Sequence, residues 1–266
     1  MVRIQYFMSA VIDCSYSIEG EGPPLFLIHG IGASRAAWKL ALPILTKYFT
    51  VISYDLRGHG MSPIPQSKFD LAELVEDLEH LRKKTGFAKA HFAGHSLGGM
   101  IGPAYALKYP DHVLSIGLLS TAAFRNEDDI KKVNSVVSDM EEKGIPEVLQ
   151  TLTNRWFTDK FIKENPNVVE DRLKQVIDTN SNVFLNVFHI YAETEMSPWL
   201  HEIKVPCLVL TGEHDGGCSP RLNKLIHNAL PQSELIILPE YKHSILLEDG
   251  VSVAQNIVRF ISNIKR

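Results

Sequence analysis

Short apolar runs alternate with amphipathic stretches along most of the chain. Several of the runs are continuously apolar, as in Leu25-Phe26-Leu27-Ile28, and this is typical of strands that are covered on both faces. Between them, residues 71–85 repeat apolar positions at helical spacing. This alternation predicts an α/β fold with a mostly parallel sheet and helices on both faces. The predicted strands are a hairpin within 3–19 and single strands at 25–28, 49–54, 90–94, 113–119, 205–211 and 235–238. The other predicted helices follow Ser34 (with Trp38, Leu40 and Leu42 on the apolar side) and Gly98, and span 221–230 and 251–264.

The alternation of apolar runs with amphipathic stretches is interrupted between Ala123 and about Leu200. This segment has no convincing buried strand, is rich in charge, and carries several helical patterns. We therefore predict one α/β domain over residues 1–266, with a helical cap at 123–200 inserted between strands 6 and 7 of an eight-stranded sheet. The cap also concentrates aromatic residues, which suggests an apolar pocket. The candidates for its wall are Trp156, Phe157, Phe188 and Trp199.

Composition excludes several classes of function. The chain has 266 residues, which suits one large domain. Its formal net charge of −4 does not indicate the basic surface that binds nucleic acid. No apolar run is long enough to cross a bilayer, and the N-terminus lacks the pattern of a secretory signal. The three cysteines are an odd number without metal-ligand spacing, so we interpret them as free thiols in a reducing compartment. We expect a cytoplasmic protein, monomeric or homodimeric, that binds neither a metal nor a cofactor.

Gly94-His95-Ser96-Leu97-Gly98 stands between a predicted strand and a predicted helix. Gly-x-Ser-x-Gly in this context is typical of a nucleophile elbow, in which a strained turn lifts the serine hydroxyl above the sheet. Glycines are needed on both sides because a β-carbon there would collide with the neighbouring strand or helix. Ser96 is therefore the candidate nucleophile.

A serine nucleophile needs a base, and the base needs a group that orients it. In open α/β sheets, working groups lie in loops at the carboxyl ends of strands. Asp215 and His243 follow two such strands, and the order Ser96, Asp215, His243 is the one expected of this fold. The backbone N–H groups of Leu97 and Ile31 are the candidates for an oxyanion hole. Gly32 remains an alternative to Ile31, because the path of a glycine-rich loop is hard to predict.

These motifs resemble the α/β-hydrolase superfamily over essentially the whole chain. The matching segments, in order, are His29-Gly30, Asp55-x-Arg57-Gly58-His59-Gly60-x-Ser62, Gly94-x-Ser96-x-Gly98, Gly212-x-x-Asp215 and His243. Within the superfamily, Arg155-Trp156-Phe157-Thr158 is similar to the 3-oxoadipate enol-lactonase group. His29-Gly30-Ile31-Gly32 stands where that group usually has an Asn-Ser-Leu-Gly type of sequence, which leaves carboxylesterases of the same branch equally open. The resemblance implies a serine hydrolase that cleaves a small-molecule ester or lactone.

Several alternatives stay open. Glu213 is the main rival to Asp215, and the acidic cluster at 127–129 is a weaker one. His59 is interpreted as a residue that fixes its loop, and Asp55 with Arg57 as a structural ion pair. A cofactor-free perhydrolase or haloperoxidase would use the same triad, and a small-molecule receptor with little turnover would retain it. A serine at the elbow argues against the dehalogenases and epoxide hydrolases of the superfamily, which use aspartate there.

Overall fold

The apolar runs form a seven-stranded sheet in the computed structural model, which describes residues 10–264. The strands are β1 (Tyr16–Glu19), β2 (Pro24–Ile28), β3 (Thr50–Tyr54), β4 (Ala90–His95), β5 (Val113–Leu119), β6 (Cys207–Gly212) and β7 (Ser233–Leu238). Of the hairpin predicted within 3–19, β1 is the strand among the described residues, and 1–9 lie outside them. The sequence predicts eight strands; the described part of the chain contains seven.

The sheet has the order β1-β3-β2-β4-β5-β6-β7, and every neighbouring pair is parallel except β1 with β3. The predicted fold class is thereby confirmed. β3 pairs with one edge of β2, and β4 pairs with the other edge. The connections that follow β2 and β4 therefore lead to opposite sides of the sheet, which makes the carboxyl ends of these two strands the switch point. Open α/β folds bind ligands at this point.

Helices cover both faces of the sheet. The helices are α1 (Leu42–Leu45), α2 (Leu71–Lys84), α3 (Gly98–Lys108), α4 (Glu127–Lys143), α5 (Ile145–Trp156), α6 (Asp159–Glu164), α7 (Pro166–Asp178), α8 (Ser181–Glu193), α9 (Pro220–Ala229) and α10 (Ile245–Asn263). The core on one face involves α2, α3 and α9, and the core on the other involves α1 and α10. No helix in residues 10–264 has the length and apolar character required to span a membrane.

Five consecutive helices, α4 to α8, connect β5 to β6 in the segment for which the sequence predicts the cap. In the numbering of the seven described strands, the insertion lies between strands 5 and 6. The inserted helices pack on the first core through buried apolar residues, among them Val136, Leu152, Val176 and Phe184. Their inner surfaces thus lie over the loops that follow the strands.

Two predicted helices differ from the structure. The apolar pattern around Trp38 forms a 3₁₀ turn, Arg35–Trp38, followed by the short α1, instead of one helix. Pro43 explains the break, because proline lacks an N–H and is tolerated only in the first turn of a helix. The last helix, α10, begins at Ile245, but its backbone is non-helical at Asp249, with φ −151° and ψ 58°. The part after this kink matches the helix predicted at 251–264, and the turn before it is additional.

Candidate active site

Ser96 stands on a strained turn between β4 and α3. Its φ angle is 56°, a left-handed conformation that non-glycine residues rarely adopt outside functional turns. A β-carbon on Gly94 would lie 1.9 Å from the carbonyl oxygen of Gly98, and one on Gly98 would lie 2.4 Å from the carbonyl oxygen of Ile28. The steric reason for glycine on both sides of the serine is thus confirmed.

The loop after β2 lies beside this elbow. Because Ile28 is paired with Gly94, the residues that follow each of them leave the sheet side by side. A β-carbon on Gly30 would lie only 3.0 Å from that of Ser96. The loop 29–34 and the serine therefore share one wall of the site.

Asp215 and His243 meet at the same edge of the sheet. The Oδ2 atom of Asp215 accepts a hydrogen bond from Nδ1 of His243 at 2.7 Å. The Oδ1 atom accepts from the backbone N–H groups of Gly217 at 3.0 Å and Cys218 at 2.8 Å. Asp215 is buried, so its carboxylate has a fixed orientation and both of its oxygens are occupied.

The two charges shift each other's pKa. Burial opposes ionisation of Asp215, but the charge of His243 and the hydrogen bonds from His243, Cys218 and Gly217 bring the carboxyl pKa below its ordinary value. For His243, burial opposes protonation, yet the Asp215 carboxylate raises the imidazole pKa above its ordinary value. The pair is therefore arranged to stabilise an imidazolium.

Loop contacts hold His243 in place. Gly212, at the end of β6, lets the chain before His243 approach closely, because a β-carbon there would lie 2.3 Å from the carbonyl oxygen of Lys242. His95 donates from Nε2 to the carbonyl oxygen of His243 at 2.9 Å. The backbone N–H of Ser244 donates to the carbonyl oxygen of Trp156 at 2.8 Å, which connects this loop to α5.

Two backbone N–H groups lie free beside the serine. Within residues 10–264, the N–H groups of Ile31 and Leu97 have no protein acceptor. The N–H of Gly32, by contrast, donates to Nε2 of His59 at 3.2 Å. The geometry therefore favours Ile31 over Gly32 as the donor from this loop.

His59 fixes its loop, as the sequence predicts. Its Nδ1 lies 3.0 Å from the carbonyl oxygen of Arg57, to which it donates, so that Nε2 is left to accept from Gly32. Burial lowers the pKa of His59 to about 4, which keeps Nε2 unprotonated.

A cavity of about 450 Å³ opens above Ser96 and His243. Among the predicted pocket residues, Trp156 and Phe188 line it. Phe157 does not line this cavity; it is fully buried and stacks on Phe161 at 5.5 Å, because α5 ends at Trp156 and the backbone turns extended at the next residue. Trp199 is also misplaced by the prediction, and lines a separate groove against α2 and α3.

The rival acids lie away from His243. Glu213 is exposed, and its Oε2 accepts from the backbone N–H of Glu240 at 3.0 Å. The cluster at 127–129 begins α4, where Asp129 forms a capping box with Asn126. Neither supplies a carboxylate to the histidine.

The predicted ion pair between Asp55 and Arg57 is wrong. The guanidinium of Arg57 instead contacts Asp77, with Nε 2.6 Å and Nη2 2.7 Å from the two carboxylate oxygens. Asp55 accepts from the backbone N–H groups of Arg35 at 2.7 Å and Met61 at 3.0 Å. Nearby residues on a turn point in different directions, and spacing alone does not pair them.

Cys218 and Arg172 are site residues that sequence reasoning misses. The thiol of Cys218 lies against the His243 imidazole and 3.3 Å from the Tyr191 hydroxyl. With Asp215 and His243 it forms a group whose potential metal-ligand atoms lie within 4.8 Å of one another. The carboxylate oxygens of Asp215 are already engaged by hydrogen bonds, however, so the group fits a hydrogen-bonded pair with a neighbouring thiol better than a metal site.

Arg172, on α7, also lines the cavity. Burial lowers the pKa of its guanidinium to about 10, so it remains a cation at neutral pH. In the sequence it is one of several charges on an amphipathic helix, and no spacing or motif distinguishes it from the exposed ones.

Comparison with known proteins shows the family of the chain. Residues 23–250 match the family described as the alpha/beta hydrolase fold. A 3-oxoadipate enol-lactonase from Acinetobacter baylyi is 27% identical over 197 residues, covering 74% of this chain and 73% of that protein.

Solved structures extend the similarity to nearly the whole chain. A hydrolase from Pseudomonas aeruginosa superposes with a TM-score of 0.86 at 26% identity, covering 94% of each chain. The enol-lactonase from Burkholderia xenovorans superposes with a TM-score of 0.88 at 24% identity, covering 96% of this chain and 100% of that one, and at this identity it shows the fold alone.

Proposed function

Because this chain belongs to the alpha/beta hydrolase fold family, we propose that it is a serine hydrolase that cleaves a carboxylic ester or lactone through an acyl-enzyme on Ser96. The observation that carries the proposal is the convergence on one cavity of the strained Ser96 and the hydrogen-bonded pair of His243 and Asp215. Nothing in a purely structural turn requires a serine in a left-handed conformation beside such a pair.

The reaction begins when His243 accepts the proton of the Ser96 hydroxyl as the oxygen attacks the ester carbonyl. Asp215 holds the imidazole so that Nδ1 carries hydrogen and Nε2 is the acceptor, and it stabilises the imidazolium that forms. The imidazolium then returns a proton to the leaving alkoxide. Water attacks the acyl-enzyme in the second half, with His243 again as base, and releases the acid.

The negative oxygen of the tetrahedral intermediate is bound by the N–H groups of Ile31 and Leu97. Both groups lack a protein acceptor among the described residues, so no internal hydrogen bond has to break. Leu97 immediately precedes α3, whose N-terminal dipole adds positive potential. Loss of one such donor typically raises the barrier by about 3 kcal/mol.

The cavity limits the size of the substrate. Its volume of about 450 Å³ and its walls of Trp156, Phe188 and Val136 suit a small or medium acyl or ring group. The enol-lactonase relative supports a lactone as one member of this class, beside open esters. We also retain the cytoplasm as the site of action, because Cys14, Cys207 and Cys218 are all buried free thiols.

The test is steady-state hydrolysis of p-nitrophenyl esters from acetate to octanoate, with a panel of small lactones. We expect turnover that is lost in Ser96→Ala and retained in Ser219→Ala, a serine outside the cavity whose side chain caps no helix. A Ser96→Ala variant with undiminished turnover would refute the mechanism. Acylation of the wild type without turnover would instead indicate a receptor.

A further inference from the structure

Arg172 connects the inserted helices to the loop beside the serine. From α7, its Nη2 donates to the carbonyl oxygen of Ile31 at 2.8 Å, and its Nη1 donates to the carbonyl oxygen of Gly32. The ring of Trp156, at the end of α5, lies against the guanidinium at 4.8 Å. The guanidinium is therefore fixed between two inserted helices and two consecutive backbone carbonyls.

One peptide unit of the loop is held at both ends by these contacts. The carbonyl oxygen of Ile31 accepts from Arg172, and the N–H of the same peptide, that of Gly32, donates to His59. A peptide is planar, so fixing its oxygen and its hydrogen fixes the orientation of the whole unit. The N–H of Ile31 belongs to the preceding peptide, whose oxygen, on Gly30, accepts from Nδ1 of His29 at 2.8 Å. The other end of that peptide joins the Ile31 α-carbon, so the unit held by Arg172 and His59 constrains the N–H from that end.

Further contacts from α7 and α8 reach the same loop. The Nε2 atom of Gln175, three residues after Arg172, donates to Oγ of Ser34 at 2.8 Å. The ring of Phe184 packs so closely on Gly32 that a β-carbon there would lie 2.5 Å from it. Gly32 has a φ of +57°, a left-handed conformation that favours glycine.

The contacts of Arg172 differ from an ordinary structural ion pair. Among the ion pairs formed by residues 10–264, none involves Arg172. Its hydrogen-bond acceptors there are the two loop carbonyls, and the planar fork of a guanidinium suits two acceptors side by side.

We propose that Arg172 is a positioning residue that completes the oxyanion hole only while the inserted helices are seated on the loop 29–34. Movement of α7 away from the sheet would release the carbonyls of Ile31 and Gly32 and let the Ile31 N–H turn away from the reacting oxygen. Opening the cavity to substrate and disassembling the oxyanion hole are then the same event. The catalytic part of this inference rests on the proposed function.

The kinetic test compares Arg172→Met and Arg172→Lys with Lys174→Met, which removes one charge from an exposed position of the same helix. Loss of an oxyanion donor lowers kcat about 10²–10³-fold, and Arg172 acts through the orientation of one donor. We therefore expect kcat to fall at least about tenfold in Arg172→Met, with KM changed less than about twofold. Arg172→Lys should stay impaired, because an ammonium keeps the charge but lacks the planar fork. Lys174→Met should match the wild type.

The choice of substrate separates positioning from substrate binding. We expect the same fold-loss on neutral p-nitrophenyl butyrate and on the anionic half-ester monoethyl succinate. A loss confined to the half-ester would overturn the proposal and make Arg172 a site for a substrate carboxylate. Full activity in Arg172→Lys would also overturn it, since charge alone would then suffice.

Amide hydrogen exchange tests the contact without any substrate. In Arg172→Met, the peptide that covers residues 29–38 should exchange faster than in the wild type and in Lys174→Met. Unchanged exchange there would refute the positioning role even if all variants hydrolyse esters. If the wild type hydrolyses no ester, the proposed function fails, while faster exchange would still establish that Arg172 holds the loop.

Discussion

Replacing Asp215 by asparagine should disable the base while leaving its position filled. The Oδ1 atom accepts from two backbone N–H groups, those of Gly217 and Cys218, and only an oxygen can do so. The amide oxygen of the substituted side chain must therefore take that place, which puts its NH₂ group where Oδ2 now lies, 2.7 Å from Nδ1 of His243. An NH₂ group donates, so Nδ1 must become the acceptor and Nε2 must carry the hydrogen.

That tautomer cannot accept the proton of Ser96. In serine proteases, the corresponding substitution lowers kcat about 10⁴-fold for the same reason. A 10⁴-fold loss corresponds to about 5.4 kcal/mol of barrier. We expect a loss of this size here, because the two backbone donors of this loop impose the unfavourable amide orientation.

The assay is kcat on a neutral p-nitrophenyl ester, with thermal melting to show that the variant folds. Glu213→Gln is the matched control, since it removes the same charge two residues earlier from an exposed carboxylate that the sequence leaves as a rival. We expect that control to retain activity within about twofold of the wild type, against the 10⁴-fold loss above. A Glu213→Gln variant as impaired as Asp215→Asn, or a folded Asp215→Asn variant with near-normal kcat, would refute the assignment of the acid.

Three further predictions concern pH, the elbow and the cavity. Because Asp215 raises the pKa of His243, kcat/KM should rise with pH to a plateau with a midpoint above 6.5, and a midpoint below that value would contradict the geometry of the pair. Gly94→Ala should lower the free energy of unfolding by roughly 3 kcal/mol, measured by urea titration, because its β-carbon meets the fixed carbonyl of Gly98. Phe188→Ala should move the acyl-chain optimum of the ester panel toward longer chains while Trp199→Ala leaves it unchanged, and the reverse would show that the wrong cavity has been assigned.

The fold can be predicted from the sequence because buried strands and helices carry apolar residues in regular patterns. The run Val113–Leu119 is predicted as a strand and is one, with the same limits, and the helix predicted at 71–85 is observed as Leu71–Lys84. The glycines of the elbow can be predicted as well, because a steric contact requires each of them. Gly94 lies against the carbonyl oxygen of Gly98, and Gly98 lies against that of Ile28.

The direction of a single side chain and its tertiary partners leave no periodic pattern in the sequence. Trp156 faces the cavity and Phe157 is buried behind it, although both are aromatic and neighbouring. Arg57 is paired with Asp77, on a helix 20 residues away, and not with Asp55 two residues before it. The position of Arg172 depends on how α7 packs on the loop 29–34, and this tertiary arrangement has no local pattern.

Covalent labelling by a fluorophosphonate, followed by intact-mass measurement and peptide mapping, tests directly whether Ser96 is the nucleophile. We expect one label per chain, located on Ser96, with no labelling in Ser96→Ala and much slower labelling in His243→Ala. Labelling of Ser96→Ala at the wild-type rate, or a label on a different residue, would contradict the claim that Ser96 is the nucleophile.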